Sequence, residues 1–515
     1  MNRESPPLIK CIPALTSIIT KPNLNIKGFH RDPNPWRFGY DFMFRNFERY
    51  QYIFSLGRYA VILLGCLAGL LLYKFAKDVY GPGGGLFALF LYVFNPNIIA
   101  HSRLTTIDIG ATCMIFLSIY CFWKFLKQPD ARAAIVAGIA LGLAQLSKFT
   151  ALILYPIFLL IFAVLIFKKV FCADDKDKIY DGRMLIKGGG YFFLTLLISV
   201  FVINAGYLFS GTFTPLNQHV FLSEPLRKLS SLCWQALPIP LPYEYLSGFD
   251  SQLAISAGNN PFYAGYLMGE RSLAGWWYYY VIAFVVKNPV AMLVILALTV
   301  FAWLKGRDKP DFETGLCIWV PIVAFFAYFS FFTNIPIGIR FMLPVFPILF
   351  LAAGYLCHAS LTKGKVTRVV MVVVAIAYLI PAISIFPNYL SYFNLAAGGP
   401  RSGYRWLIDS NLDWGQDLPG LKKYMEKNGV KKIQLGYFGR VDPEIYGIDY
   451  TLAKQEVDNG IYAISANFLV GRPYYLLDKN SKQLIYIDSN YFKNYRTLKP
   501  LETIGHTLHI FCVNN

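Results

Sequence analysis

Thr150-Ala-Leu-Ile-Leu-Tyr-Pro-Ile-Phe-Leu-Leu-Ile-Phe-Ala-Val-Leu-Ile-Phe167 runs without a charged residue, from just after Lys148 to just before Lys168. As a helix it is long enough to cover the hydrocarbon core of a bilayer. In lipid every backbone N–H and C=O must be satisfied within its own segment, so such a run has to be helical. Comparable runs recur between Tyr59 and Tyr389, at 56–76, 84–100, 107–126, 132–147, 150–168, 188–208, 278–304, 316–333, 340–359 and 368–387. Composition agrees: 56% of residues are hydrophobic and only 15% are charged, against about 25% charged in soluble domains. The short alternating strands of a membrane barrel are absent. The expected fold class is an α-helical polytopic membrane protein of about ten transmembrane helices, with a small C-terminal α/β domain on the outer face.

The net charge of +18 would suit a nucleic-acid binder, but its distribution argues otherwise. Basic residues crowd alternate linkers: Lys74 and Lys77; Lys124, Lys127 and Arg132; Lys168 to Lys187; Lys305, Arg307 and Lys309; Lys363, Lys365 and Arg368. The intervening short linkers hold only Arg103, Lys148 and Arg340. Cytoplasmic loops carry the positive excess, so the first set is expected in the cytoplasm and no nucleic-acid partner is expected. Residues 1–54 then form an outer-face segment, 55–389 a transmembrane domain with a long outer loop at 209–277, and 390–515 the C-terminal outer domain. Within that domain Gln416–Asn428 reads as an amphipathic helix, and Lys432–Phe438, Ile461–Ser465 and Thr507–Val513 read as strands. The expected location is the inner (plasma) membrane. Nine scattered cysteines give no CxxC pair and no zinc spacing, so no metal and no cofactor is expected.

Ionisable residues at the ends of apolar spans are costly and by default functional. Four stand out, all on the outer side of the derived topology: Asp108, Lys148, Lys287 and Arg340. One acid and three bases at one level suit a lipid phosphate, with a carboxylate left for the reacting group. Each has a plainer reading. Asp108 could serve the helix macrodipole, Lys148 a wet turn, Lys287 a snorkelling position, and Arg340 an ordinary headgroup. The Trp276–Tyr280 cluster reads as an interfacial aromatic belt. Gly81-Pro-Gly-Gly-Gly85 reads as a turn, lacking the strand and lysine of a phosphate loop. His101 and His219 read as structural or solvated.

Several segments together carry a resemblance. Asn2-Arg-Glu-Ser-Pro-Pro-Leu8 resembles the E-x-P-P-L segment of bacterial lipid-carrier-dependent glycosyltransferases, the family that includes protein O-mannosyltransferases and aminoarabinose transferases. Thr105-Thr-Ile-Asp108 is similar to its second acidic position, and Gly142-Leu-Ala-Gln-Leu-Ser-Lys148 to its G-x-x-x-L-[ST]-K segment. Tyr266-Leu-Met-Gly-Glu270, Gly275-Trp-Trp-Tyr278 and Lys287-Asn-Pro289 resemble the run after its long loop. Gly338-Ile-Arg-Phe-Met-Leu-Pro344 resembles its G-x-R-[YF]-x-L-P segment. Pro387-Asn-Tyr-Leu-Ser-Tyr-Phe-Asn394 and Asp409-Ser-Asn-Leu-Asp-Trp-Gly-Gln-Asp417 resemble the signature opening a C-terminal domain in one bacterial branch.

The resemblance implies transfer of a sugar, with inversion, from a polyprenyl-phosphate-linked donor to a hydroxyl of a glycan, lipid or protein at the outer membrane face. It implies Asp108 and Glu4 as catalytic acids and Lys148, Lys287 and Arg340 as donor-binding cations. The family's principal Asp-Glu pair follows its first span, ahead of E-x-P-P-L. Here that segment begins at Glu4, so the chain is expected to lack the first span and its acidic loop. Two other functions remain open, a catalytically inactive relative and a transporter or flippase of lipid-linked sugars. Broken helices near the midplane would favour transport. Turnover of a lipid-phosphate-sugar separates the enzyme from both.

The topology has a direct test in single-cysteine forms treated with a membrane-impermeant maleimide in spheroplasts, with detergent controls for burial. Cys233 and Cys512 should label and Cys172 and Cys357 should not; labelling of Cys172 but not Cys512 would invert the assignment.

Overall fold

The structure is a computed structural model describing residues 5–25, 35–171, 178–231, 236–257, 264–306, 308–357, 364–478 and 484–513. Glu4, Cys172 and Cys233 lie outside these ranges. Among the described residues five helices are long and apolar enough to cross a membrane: Phe47–Val93, Asp108–Lys127, Phe149–Phe171, Lys187–Gly206 and Phe312–Phe331. The bent pair Tyr279–Lys287 and Val290–Lys305 makes a sixth if counted as one span, and Ala131–Gln145, Val345–Cys357 and Arg368–Ser384 are shorter apolar helices. The chain is a multi-pass membrane protein.

Two local features revise the ten separate spans expected from hydropathy. Within Tyr50–Val93 the expected turn is present: Gly81, at φ 82° and ψ 179°, is non-helical and the chain doubles back there, so that the Tyr92 hydroxyl donates to the Gly65 carbonyl at 2.9 Å. A Cβ on Gly84 would lie 3.0 Å from the Gly354 carbonyl oxygen, so glycine allows the close approach of the two segments. The expected 84–100 span is cut at Asn95-Pro96, where the Asn95 side chain accepts from the amides of Asn97 and Ile98 and starts the helix Pro96–Ser102. The expected 278–304 span bends by 113°. Pro289 has no N–H to continue the helix, and it holds Asn288 extended at φ −108°, ψ 147°. Elsewhere small residues set the packing. Cβ atoms on Gly138 and Gly142 would lie 2.7 Å from the Thr195 carbonyl oxygen and 2.5 Å from Val202, so glycine permits Ala131–Gln145 to lie close against Lys178–Gly206.

Segment 209–277 contains the helices Glu224–Ser230 and Tyr243–Ser256 and the hairpin Gly265–Leu267/Glu270–Ser272. Beyond Ser384 the chain builds a five-stranded sheet in the order 450–452, 433–436, 460–465, 508–513, 502–504. The first three strands run parallel and the remaining pairs antiparallel. Alternation dictates its two faces. Ala463 shares a buried cluster with Leu421 and Met425 of the helix Leu418–Lys427, while Tyr462 and Ile464 share another with Phe468, Phe492 and Tyr495. The strands and helix expected here form within three residues of their predicted limits.

Both segments that resemble the C-terminal signature lie where this sheet meets the helices. Lys287 Nζ, at the helix break, donates to the Leu390 and Asn411 carbonyls at 2.8 and 2.6 Å. Asn394 Nδ2 donates to the Val285 and Asn288 carbonyls at 2.7 and 2.8 Å. Asn411 receives the Ile339 amide on Oδ1 at 2.8 Å and donates to the Tyr279 hydroxyl at 3.0 Å. From the sheet, Ser465 donates to Asp413 at 2.6 Å and Thr507 to Asp417 at 2.5 Å. Asp409, at φ 58°, pairs with Arg472 at 2.8 Å.

Burial pushes the Asp413 carboxyl up to about 7, against the pull of hydrogen bonds from Ser465 and Gly415. Burial likewise pushes Asp417 up to about 6. Unfolded, both acids return to about 3.9. The folded chain thus holds these protons more tightly, and their stabilisation is full below about pH 4 and lost as pH rises through about 6 to 7. Unfolding free energy should therefore fall with rising pH by at most about 1.4 kcal/mol per pH unit for each acid, read in detergent as a thermal midpoint that drops between about pH 5 and about pH 8. Asp413→Asn should flatten that fall; an unchanged slope would mean Asp413 is ionised throughout.

Candidate active site

Asp108 opens the helix Asp108–Lys127 and is 2% exposed. A bare carboxylate at that depth would be prohibitive, and two cations from distant segments offset it. Lys148 stands in extended backbone between Ala131–Gln145 and the turn Phe149–Ile153, and its Nζ reaches Asp108 Oδ1 at 2.7 Å. Arg340 sits in the 3₁₀ turn Ile339–Met342, with Nη1 3.7 Å from Asp108 Oδ2. That second distance is an ion pair but too long for a hydrogen bond, and Oδ2 is left without a hydrogen-bond partner among the described residues. Removing either cation from such a buried group typically costs about 3–5 kcal/mol.

Phe341 lies under both cations. Its ring centroid is 4.4 Å from Lys148 Nζ and 5.1 Å from the Arg340 guanidinium carbon. Asp108, Lys148 and Arg340 line one cavity of about 220 Å³. Its other walls are neutral: Gln252 and Ser256 from the helix Tyr243–Ser256, Thr150, Thr333, Tyr280 and Tyr328. Ser5, next to Glu4, also lines it. The arrangement offers an anion site beside a carboxylate oxygen free to accept a proton. Lys148 spends one of its donors on Asp108, and Arg340 forms no side-chain hydrogen bond among the described residues.

Of the residues singled out in the sequence, the fold thus brings together Asp108, Lys148 and Arg340, while Glu4 lies outside the described residues. Lys287 does not line this cavity; it is 1% exposed, bound to two carbonyls, with the Phe393 ring 4.4 Å away. It does not snorkel. The aromatic run divides, with Trp277 exposed and Tyr279 and Tyr280 buried at 1% and 2%, so only part of it can act as a belt. His101 and His219 are buried, not solvated. Sequence reasoning missed the wall supplied by Tyr243–Ser256, which the apolar runs around it had masked as loop. It also missed Trp414, whose ring lies 4.9 Å from the Arg340 guanidinium; its place in a family-like segment was the available signal. Among the described residues no cluster of three metal-ligating side chains occurs.

Comparison with known proteins bears on one part of the chain. Residues 54–174 match the family model described as dolichyl-phosphate-mannose-protein mannosyltransferase, a range holding Asp108 and Lys148. No curated protein matches in sequence. Among solved structures, ArnT from Cupriavidus metallidurans in the apo state is 14% identical with a TM-score of 0.39, over 75% of this chain and 62% of that one. The same protein bound to undecaprenyl phosphate is 11% identical with a TM-score of 0.43, over 94% and 88%. Likeness at that distance assigns neither a ligand nor a residue's role. Over residues 54–174, then, the chain is similar to dolichyl-phosphate-mannose-protein mannosyltransferases.

Proposed function

We propose that the chain transfers a sugar, with inversion, from a polyprenyl-phosphate-linked donor to an acceptor hydroxyl at the outer face of the inner membrane. One observation carries the reading: a buried carboxylate, paired with two cations and with one oxygen lacking a hydrogen bond among the described residues, lines a cavity with both of them. In the proposed step the acceptor oxygen attacks the anomeric carbon from the side opposite the phosphate. Its proton passes to Asp108 Oδ2, within hydrogen-bonding reach as general-base catalysis requires. The bond from the anomeric carbon to the phosphate oxygen breaks, and its electron pair leaves with the lipid phosphate. Lys148 and Arg340 stabilise the charge that develops there. Glu4, adjacent to the cavity residue Ser5, is proposed as the second acid. The acceptor is a glycan, lipid or protein hydroxyl.

The broken helix at Lys287-Asn-Pro is the feature a transporter would use, since unwound backbone at such breaks commonly binds ions. Here the groups at the break are consumed internally. The Lys287 carbonyl accepts from Asn97 Nδ2 at 2.8 Å and the Asn288 carbonyl from Asn394 Nδ2. Lys287 itself is committed to the join with the C-terminal sheet, so donor binding is assigned to Lys148 and Arg340.

With a radiolabelled polyprenyl-phosphate-hexose and purified protein, Asp108→Asn should lower turnover by about 10² or more. Arg340→Ala should raise donor KM more than Arg340→Lys, because only the guanidinium presents a planar fork to phosphate. Full turnover by Asp108→Asn would remove the carboxylate from the mechanism. Transfer unaffected by Arg340→Ala would remove the phosphate site.

A further inference from the structure

Arg340 is held in an unusual way for a residue that must face an anion. Among the described residues the carboxylate it pairs with is 3.7 Å away, and its Nε is buried without a hydrogen-bond partner. What fixes the guanidinium is two rings, Phe341 at 5.1 Å and Trp414 at 4.9 Å. A planar cation against aromatic faces keeps its edge donors available while losing lateral freedom. Phe341 is its neighbour in sequence and cannot fix it alone. Trp414 comes from the C-terminal region.

Trp414 is in turn fixed from several sides. Its amide donates to Gln416 Oε1 at 2.8 Å, and the Gly415 amide donates to Asp413 Oδ1 at 2.8 Å. Tyr437, just past the strand Ile433–Gly436, donates to the Gly415 carbonyl at 3.0 Å. Gly415 has φ 75°, and a Cβ there would fall 2.2 Å from the Tyr437 hydroxyl, so the tight turn that aims Trp414 requires glycine. The indole meets the His101 ring edge-on at 6.2 Å.

We propose that Trp414 is a positioning residue for the donor phosphate: the C-terminal sheet completes the anion site by clamping Arg340 between Trp414 and Phe341. This rests on the assignment of Arg340 to the phosphate. It makes the C-terminal region part of the donor site, and it predicts an effect on donor binding separable from acceptor binding.

The test is binding of undecaprenyl phosphate to the purified full chain, in the native form, Trp414→Ala, Trp414→Phe, Arg340→Ala and the double variant Trp414→Ala with Arg340→Ala. Trp414→Ala should weaken binding about tenfold, the scale of a desolvated cation–aromatic contact, with acceptor KM unchanged. Trp414→Phe, which keeps a ring face, should restore most of the loss. The double variant should bind no worse than Arg340→Ala alone, since Trp414 acts only through Arg340. Additive losses, or native affinity in Trp414→Ala while Arg340→Ala is weak, would overturn the proposal and leave the donor site standing. Native affinity in Arg340→Ala would instead overturn the assignment of Arg340 to the phosphate, and the role of Trp414 with it.

Discussion

Everything at the site end of the bundle depends on the Asp108–Lys148 ion pair. A carboxylate 2% exposed and an ammonium 2.7 Å away contribute little net stability, because desolvation cancels most of their attraction. Their effect is on arrangement. The pair holds the start of Asp108–Lys127 against the linker after Ala131–Gln145, and so fixes the floor to which Arg340 and Phe341 are added from a segment nearly two hundred residues later. An apolar pair could join the same helices more cheaply. It could not line a cavity with a carboxylate and with cations that keep unspent N–H donors, which is the argument for reading the pair as functional.

The second constraint is the broken helix. Pro289 obliges the backbone to turn, and turning exposes carbonyls in an environment without water to receive them. Asn97, Asn288 and Asn394 supply the missing partners. Lys287 caps the arrangement from the inside, its ammonium bound by two carbonyls of the C-terminal region. Membrane helices and C-terminal sheet are thus fastened by polar contacts concentrated at one seam, and the Asp409–Asp417 segment contributes to it.

Much of this was legible in the sequence, unevenly. Apolar runs gave the helical bundle because hydropathy is local and strong. The four conspicuous charges were visible because each interrupts such a run, and three of them do line one cavity. Lys287 shows the limit: its charge was evident, but its partners lie 103 and 124 residues away, and no pattern in the sequence names them. The reversal at Gly81 was legible as a turn, but the 113° bend at Asn288-Pro289 falls inside what hydropathy gives as one span, since window averages carry no direction. Likewise Tyr243–Ser256 contributes Gln252 and Ser256 to the cavity from a stretch that read only as a loop rich in proline and aromatic residues. Trp414 sits within a segment that was recognised by likeness, yet its contact with Arg340 is purely tertiary.

The seam has a consequence for how the protein is made. Chains emerge N-terminus first at about 5–20 residues per second, so the helix ending in Lys287 leaves the ribosome several seconds before the Leu390 and Asn411 carbonyls that receive its ammonium. During that interval a charged lysine stands at a helix break without its permanent ligands. A polypeptide released early keeps its apolar helices but never resolves that lysine, and it presents to the cell's surveillance machinery a polar flaw that the finished protein conceals.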